Sequence, residues 1–287
     1  VEKRGVALDA SDMGTGKTIM SLRVAKDCGL IPVIVCPKAV VPVWEAWHKC
    51  FFPDREPIAF NYEKAIRGNR FVCRKGRNFG WTVKVGKTLL IFDEVHRCKG
   101  SKSLNSKLLA SAKRDGHNIL MLGATPFNSP LEMRATGYAL GLHGYRDWWR
   151  WCLSRGCRRG WFGGLEFTGS PAVLKGLNDS IFGSGRKGSR LRISELPAGS
   201  FPDGVVEADS YAVDDADAVN DAYNAMRYEL AALDEKAMED VDSENPLTIQ
   251  LRARQKVELL KVPVFCELAR DALENGNSVV IFINFSA

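Results

Sequence analysis

Asp12-Met13-Gly14-Thr15-Gly16-Lys17-Thr18 constrains this 287-residue chain more than any other stretch. Before it, Val6, Ala7 and Leu8 read as a short buried strand within Gly5–Ala10. After it, Ile19, Leu22 and Val24–Ala25 recur at helical spacing as far as Lys26. A strand, a glycine-bearing turn and a helix opening on Lys-Thr make the setting of a phosphate-binding loop. Gly14 and Gly16 let the backbone curl and turn successive N–H groups inward. The helix N-terminus adds unpaired N–H groups and partial positive charge. Gly14, Thr15, Gly16, Lys17 and Thr18 are thus the candidate nucleotide-binding residues. Lys17 is expected to reach the β- and γ-phosphates of ATP, and the Thr18 hydroxyl to ligate Mg²⁺. Ser11 stands where the strict pattern has its first glycine. The competing reading, an ordinary glycine-rich turn, leaves the adjoining Lys-Thr without a reason.

Thr88–Phe92 is an almost continuous apolar run, the pattern of a parallel strand buried on both faces. Asp93 and Glu94 follow at its carboxyl end, where open α/β sheets bind ligands. Asp93 is expected to hold Mg²⁺, and Glu94 to orient and deprotonate an attacking water. Glu94 and Lys17 are therefore the candidate catalytic pair. An isolated Asp-Glu is usually an exposed acidic loop, but this one ends an apolar strand downstream of a phosphate loop. A third apolar run, Ile119–Leu122, leads into Gly123-Ala124-Thr125-Pro126. That small polar turn would put the Thr125 hydroxyl beside the other two motifs, as a relay to a second binding surface.

With these motifs in place the chain resembles the superfamily 2 helicase-like ATPases, most closely their Swi/Snf-type branch. The resemblance runs from Gly5 to Phe285. DMGTGKT is similar to motif I, and VIVCPKAVVPVWEAW at Val33–Trp47 to motif Ia with its following helix. NYEKAIR at Asn61–Arg67 resembles the Tyr-Glu segment beyond. DEVHRCKG at Asp93–Gly100 looks like a DEAH-type motif II, and MLGATPFNSPLEM at Met121–Met133 like motif III. SVVIFINF at Ser278–Phe285 looks like the strand opening a second motor lobe, and the wording is nearest to phage-encoded members. The resemblance implies an ATP-dependent DNA translocase or helicase using ATP and Mg²⁺. It also implies coupling through His96 and Thr125, a nucleic-acid contact at Pro37 and Lys38, and a monomeric motor on double-stranded DNA. Alternatives are a motor subunit of a restriction or repair complex, and a nucleotide-dependent DNA-binding module without productive hydrolysis. No motif V or VI is visible, so the chain reads as an incomplete motor, weakly active in isolation.

Charge is segregated. Asn61–Arg114 carries 14 Lys/Arg against 3 Asp/Glu, and Arg146–Arg192 carries 10 against 3, whereas Glu207–Glu244 carries 13 acidic residues and 2 basic. Basic surface on a motor attracts phosphodiester backbone by counterion release, the alternative being a solvated face. Tyr145–Trp151 and Arg158–Phe162 interleave arginine with aromatics and read as packing in preference to base stacking. Of the eight cysteines none form C-x-x-C, and Cys152, Cys157 and His143 have poor zinc spacing. Free thiols in a reducing cytoplasm are expected, that of the host cell if the chain is phage-encoded. No run is long enough to span a membrane.

The expected fold class is α/β: a RecA-like P-loop lobe with a parallel sheet, a helical insertion, and the beginning of a second RecA-like lobe. Strands are predicted near 5–10, 31–36, 57–60, 88–92 and 119–122, alternating with helices. The predicted divisions are 1–145 for the first lobe, 146–246 for a loop-rich and helical insertion, and 247–287 for the start of the second lobe. An acidic amphipathic helix is predicted over Asp215–Asp240, capped by Asp214 or Asp215. A second helical region follows from Leu251, with Pro263 as a kink or restart and Val279–Phe282 as a buried strand.

Overall fold

The computed structural model of the chain describes residues 5–161, 163–183, 187–197, 199–200, 215–236 and 246–282. Two compact units are present, 1–202 and 203–287, and each is described by itself.

In the first unit, β1 (Val6–Asp9) leads through the phosphate loop into α1 (Lys17–Asp27) and β2 (Ile31–Cys36). Next come α2 (Val41–Phe51), β3 (Ala59–Asn61) and α3 (Tyr62–Arg67). An antiparallel hairpin, β4 (Val72–Lys75) and β5 (Asn78–Trp81), precedes β6 (Thr88–Phe92), α4 (Leu104–Arg114), β7 (Asn118–Leu122) and α5 (Arg134–Ala139). The remainder is α6 (Trp148–Leu153), the hairpin β8 (Cys157–Arg159) and β9 (Leu165–Phe167), α7 (Pro171–Phe182) and β10 (Gly188–Ser189).

Six strands form one parallel sheet in the order β10-β1-β7-β6-β2-β3. This is the expected α/β class, and the five predicted strands are all in it. The apolar runs work as predicted because successive strand residues face opposite ways. Leu90, Phe92, Ile119 and Met121 join one core cluster with Leu108 and Leu109 of α4 and Ala135 of α5. Leu89, Ile91, Leu120 and Leu122 join the other, with Leu22 of α1 and Trp44 of α2. The helices following β1 and β7 therefore lie on opposite faces of the sheet. A crevice opens between two such neighbouring strands at their carboxyl ends, the usual place for a ligand.

The sheet does not stop at the boundary expected near residue 145. β10 pairs in parallel with β1, placing Leu8 opposite Gly188 and Asp9 opposite Ser189. Leu177 and Ile181 of α7 enter the same core as β1 and β7. The Gly-rich segment expected to be loop-heavy thus supplies a sheet edge. Gly188 is needed there, since a Cβ would sit 3.0 Å from the Leu8 carbonyl oxygen and 2.9 Å from the Phe182 ring.

The second unit contains α8 (Ala216–Lys236), α9 (Pro246–Leu260) and α10 (Val262–Glu274). The predicted acidic helix is α8, and Asp215 Oδ1 accepts from Ala218 N at 2.9 Å; Asp214 and the residues beyond Lys236 lie outside the described set. Ala222 of α8 and Ile249, Ala253 and Val257 of α9 are buried, whereas Tyr223 and Leu251 are largely exposed. Pro263 sits in the first turn of α10, so the helix restarts there. The strand predicted at Val279–Phe282 does not form: 277–282 has neither helix nor strand, and Phe282 is 90% exposed. Among the described residues no strand lies beside it, and a lone strand leaves its backbone groups unpaired. Residues 283–287, which include the rest of that motif, lie outside the described set.

Candidate nucleotide-binding site

The phosphate loop leaves β1 at the crevice. Gly14 and Gly16 have φ of 77° and 85°, a left-handed conformation that side-chain-bearing residues rarely adopt. Gly16 is the N-cap of α1, with no side-chain cap and no acidic residue in the first turn. The N–H groups of that turn are therefore available to an anion. Lys17 folds back over the loop, its Nζ donating to the carbonyls of Ser11 at 2.8 Å and Asp12 at 2.7 Å. The Thr15 hydroxyl donates to Asp12 O at 2.7 Å. Thr18, in the first turn, is partly exposed.

Ser11 and Asp12 are held from the side by the segment following β10. Asp12 N donates to Leu191 O at 2.9 Å. In return Leu191 N donates to Ser11 Oγ at 3.0 Å, and Ile193 N to Asp12 Oδ2 at 3.0 Å. The residue that departs from the strict motif thus has a structural task that glycine could not perform.

Asp93 and Glu94 leave the carboxyl end of β6. The Asp93 carboxylate accepts from Trp44 Nε1 at 2.9 Å on one oxygen and from Glu94 N at 2.9 Å on the other. Its backbone carbonyl accepts from the Tyr62 hydroxyl at 2.7 Å. Burial pushes the Asp93 carboxyl above the usual carboxylate range; the Trp44 bond opposes this, the Glu94 charge adds to it, and the Lys17 charge opposes it. Each carboxylate oxygen keeps a further lone pair after these bonds, which suits a metal or its water. Glu94 has φ 50° and ψ 55°, the one non-glycine residue with positive φ among those described. Such strain gathers at functional sites, where the surroundings enforce it. Glu94 Oε2 lies 3.0 Å from His96 Nδ1.

Motif III closes the other side. Gly123 N donates to Asp9 O at 3.1 Å, and a Cβ on Gly123 would lie 3.5 Å from Val95 N and 3.9 Å from Glu94 Oε2. Thr125 is exposed, and its hydroxyl makes no hydrogen bond among the described residues. The links between motifs II and III are instead Lys99 Nζ to Glu132 Oε2 at 3.2 Å and Arg134 Nη1 to Ser101 O at 3.0 Å. Pro37 and the exposed Lys38 follow β2 at the same sheet edge.

Trp44, Tyr62 and the Leu191 segment were not assigned roles from sequence. Trp44 and Tyr62 had a signal: they are large aromatics with a polar atom, and such groups seek a partner when buried. The Leu191 segment had none, because it acts through backbone atoms. The Trp–Arg stretch divides. Trp148 donates to Pro130 O at 3.3 Å and Trp151 packs on His143, as packing predicts. Trp161 is 94% exposed and does not pack; Phe162 lies outside the described set.

No family model matches the chain. A protein of Acanthamoeba polyphaga mimivirus named as an ATP-dependent RNA helicase is 28% identical, over 98% of this chain and 57% of its own length. The chain is thus similar, along almost all of its length, to a protein that carries the name of a helicase. A Caenorhabditis elegans homolog of the SWI/SNF-related, matrix-associated, actin-dependent regulator of chromatin subfamily A-like protein 1 is 28% identical over 46% of this chain and 21% of its own length. The chain therefore spans little more than half of one curated relative and a fifth of the other. Among solved structures, the Sulfolobus solfataricus SWI2/SNF2 ATPase core in complex with dsDNA matches with a TM-score of 0.49 at 18% identity, covering 99% of this chain and 64% of that one.

Proposed function

We propose that the chain carries the ATP-binding half-site of a motor that hydrolyses ATP to move along double-stranded DNA. One observation carries this reading. The loop leaves β1 and the acidic pair leaves β6, the strands on either side of β7 in one parallel sheet, and Gly123 at the end of β7 bonds to Asp9 on one side and neighbours Glu94 on the other. Phosphate loop and acidic pair thus face one space at the end of the sheet. The open first turn of α1 and the spare lone pairs of Asp93 fit a nucleotide phosphate and a cation.

In this reading the N–H groups of Gly14–Thr18 and the Lys17 ammonium bind the phosphates. Thr18 and Asp93 hold Mg²⁺, which when bound supplies charge neutralisation on the phosphoryl oxygens. Glu94 takes the proton of the attacking water, and His96 orients its carboxylate. Thr125 and His96 pass the nucleotide state to the nucleic-acid side, where Pro37, Lys38 and the basic surface of 61–114 meet backbone phosphates. The motor acts as a monomer in a reducing cytoplasm. Among the described residues no helix is long and apolar enough to cross a membrane. One relative is named an RNA helicase and the other a chromatin regulator, so duplex DNA and RNA are compared directly in the test.

Lys17→Ala should lower ATP affinity at least tenfold. Glu94→Gln should keep ATP binding and lower any hydrolysis by 10²-fold or more, the usual loss for a general base. Duplex DNA should stimulate turnover more than RNA of equal length. Unchanged ATP affinity in Lys17→Ala, or unchanged turnover in Glu94→Gln, would refute the assignment.

A further inference from the structure

A cavity of about 590 Å³ lies in the first unit between the tip of the β4–β5 hairpin, α4 and the start of α5. Six cations line it: Arg77, Lys102, Lys107, Arg114, Arg134 and Arg146, with no aspartate or glutamate. No residue of the phosphate loop or of the acidic pair takes part. The fold brings these charges together from separate elements. Arg77 is in the hairpin turn, Lys107 and Arg114 are two turns apart on one side of α4, and Arg134 opens α5.

Like charges repel, so such a cluster needs counter-charge, and little of it comes from the protein. Arg114 pairs with Asp115 at 2.9 Å, whereas Arg77, Lys102, Lys107 and Arg146 make no ion pair among the described residues. Arg134 is fixed from three sides. Its guanidinium lies 4.8 Å from the Tyr145 ring centroid and 5.6 Å from that of Trp148, and Nη1 donates to Ser101 O. Its Nε is nevertheless buried without a hydrogen-bond partner. Because its neighbours hold the planar guanidinium in one orientation, the part of Arg134 that lines the cavity is already set to meet a phosphate. Tyr138 and Tyr145 add an aromatic wall, with ring centroids 5.3 Å apart. The volume falls within the range of small-ligand pockets.

We propose that this cavity is a second nucleotide-phosphate site, separate from the ATP site, that takes one or two unpaired nucleotides. Cations hold the phosphate and the tyrosine wall meets the base, the combination used for single strands. The ligand chemistry is shared by a free nucleotide and by the end of a strand. The proposal does not rest on ATP hydrolysis, since the two sites share no residue.

The test is fluorescence anisotropy with a fluorescein-labelled, 5′-phosphorylated thymidine tetranucleotide at low salt. Lys107→Glu combined with Arg146→Glu should weaken binding at least tenfold. Lys26→Glu combined with Lys175→Glu, an equal charge change at exposed positions outside the cavity, should weaken it less than threefold. Arg146→Ala, a change at an exposed loop residue, keeps the test valid if the double reversal does not fold; it should reduce the salt slope by about 0.7, the share of one phosphate contact. Competition then identifies the source. Displacement by thymidine 5′-monophosphate as strong as by the unlabelled strand supports a free nucleotide, and displacement ten times weaker supports a strand end. Absence of probe binding, equal losses in the cavity and control variants, or equal displacement by pyrophosphate and the monophosphate would overturn the proposal.

Discussion

Glu94 bears two demands at once. Its backbone occupies a left-handed conformation that costs a side-chain-bearing residue roughly 1–2 kcal/mol, while its carboxylate is the proposed base. Glu94→Gly should therefore raise stability by about 0.5 kcal/mol after the entropy of glycine is set against the relieved strain, and should abolish hydrolysis. Urea unfolding of both proteins measures this, and a less stable variant would show that the strain is not relieved there. Asp93 depends on its neighbour in a different way. The Trp44 N–H stabilises the carboxylate against the burial that lifts its pKa. Trp44→Phe removes that bond, so the Asp93 pKa rises further and the acid limb of any ATP turnover moves to higher pH. The lost bond to a charged group should also cost about 1.5 kcal/mol of stability. An unmoved acid limb would mean that Asp93 does not set it.

The five strands of the sheet that could be read from sequence are those with apolar runs, since a strand buried on both faces needs them. β10 could not be read, because two residues between Gly-rich flanks carry no pattern and contribute through backbone atoms alone. The β4–β5 hairpin carried a turn signal at Gly76-Arg77, with Gly76 at φ 62°, but only Val72 of β4 is buried and the basic run hid it. The order of the motifs pointed to the phosphate loop and the acidic pair, whereas the contacts that hold them come from residues with no motif. Val279–Phe282 shows the converse, an apolar run that makes no strand in a unit whose described residues hold no other strand to receive it. The link between β10 and the phosphate loop is itself testable. Ser11→Gly restores the strict motif yet removes the acceptor for Leu191 N. It should lower stability by about 1–2 kcal/mol, one hydrogen bond plus the entropy of glycine, and should weaken ATP binding. If it binds ATP more tightly, the brace has no part in shaping the loop.

At the scale of the whole chain, acid is the condition that tests the core. His48 and His117 are 1% and 3% exposed, and both are held below the ordinary imidazole value of 6.5, chiefly by burial. Neither ring nitrogen of His117 has a hydrogen-bond partner, and Asp115, the one charge acting on it, only partly opposes the burial. Both groups take up protons less readily in the folded chain than in the unfolded one, where they do so as pH falls through 6.5. A depressed histidine pKa contributes stability that is present in full above 6.5 and is lost as pH falls toward the folded value. Between those limits each such group lowers stability by up to about 1.4 kcal/mol per pH unit. Asp93 runs the other way, because its raised pKa favours the folded state on acidification, so the net slope in the native protein mixes both signs. His117→Gln isolates one contribution: it removes a protonation site while keeping a polar side chain. Urea unfolding at pH 7 and at pH 5 should show the native protein losing more stability than the variant, with the excess confined to the range below 6.5. Equal losses would mean that His117 is not among the groups through which acid unfolds this chain.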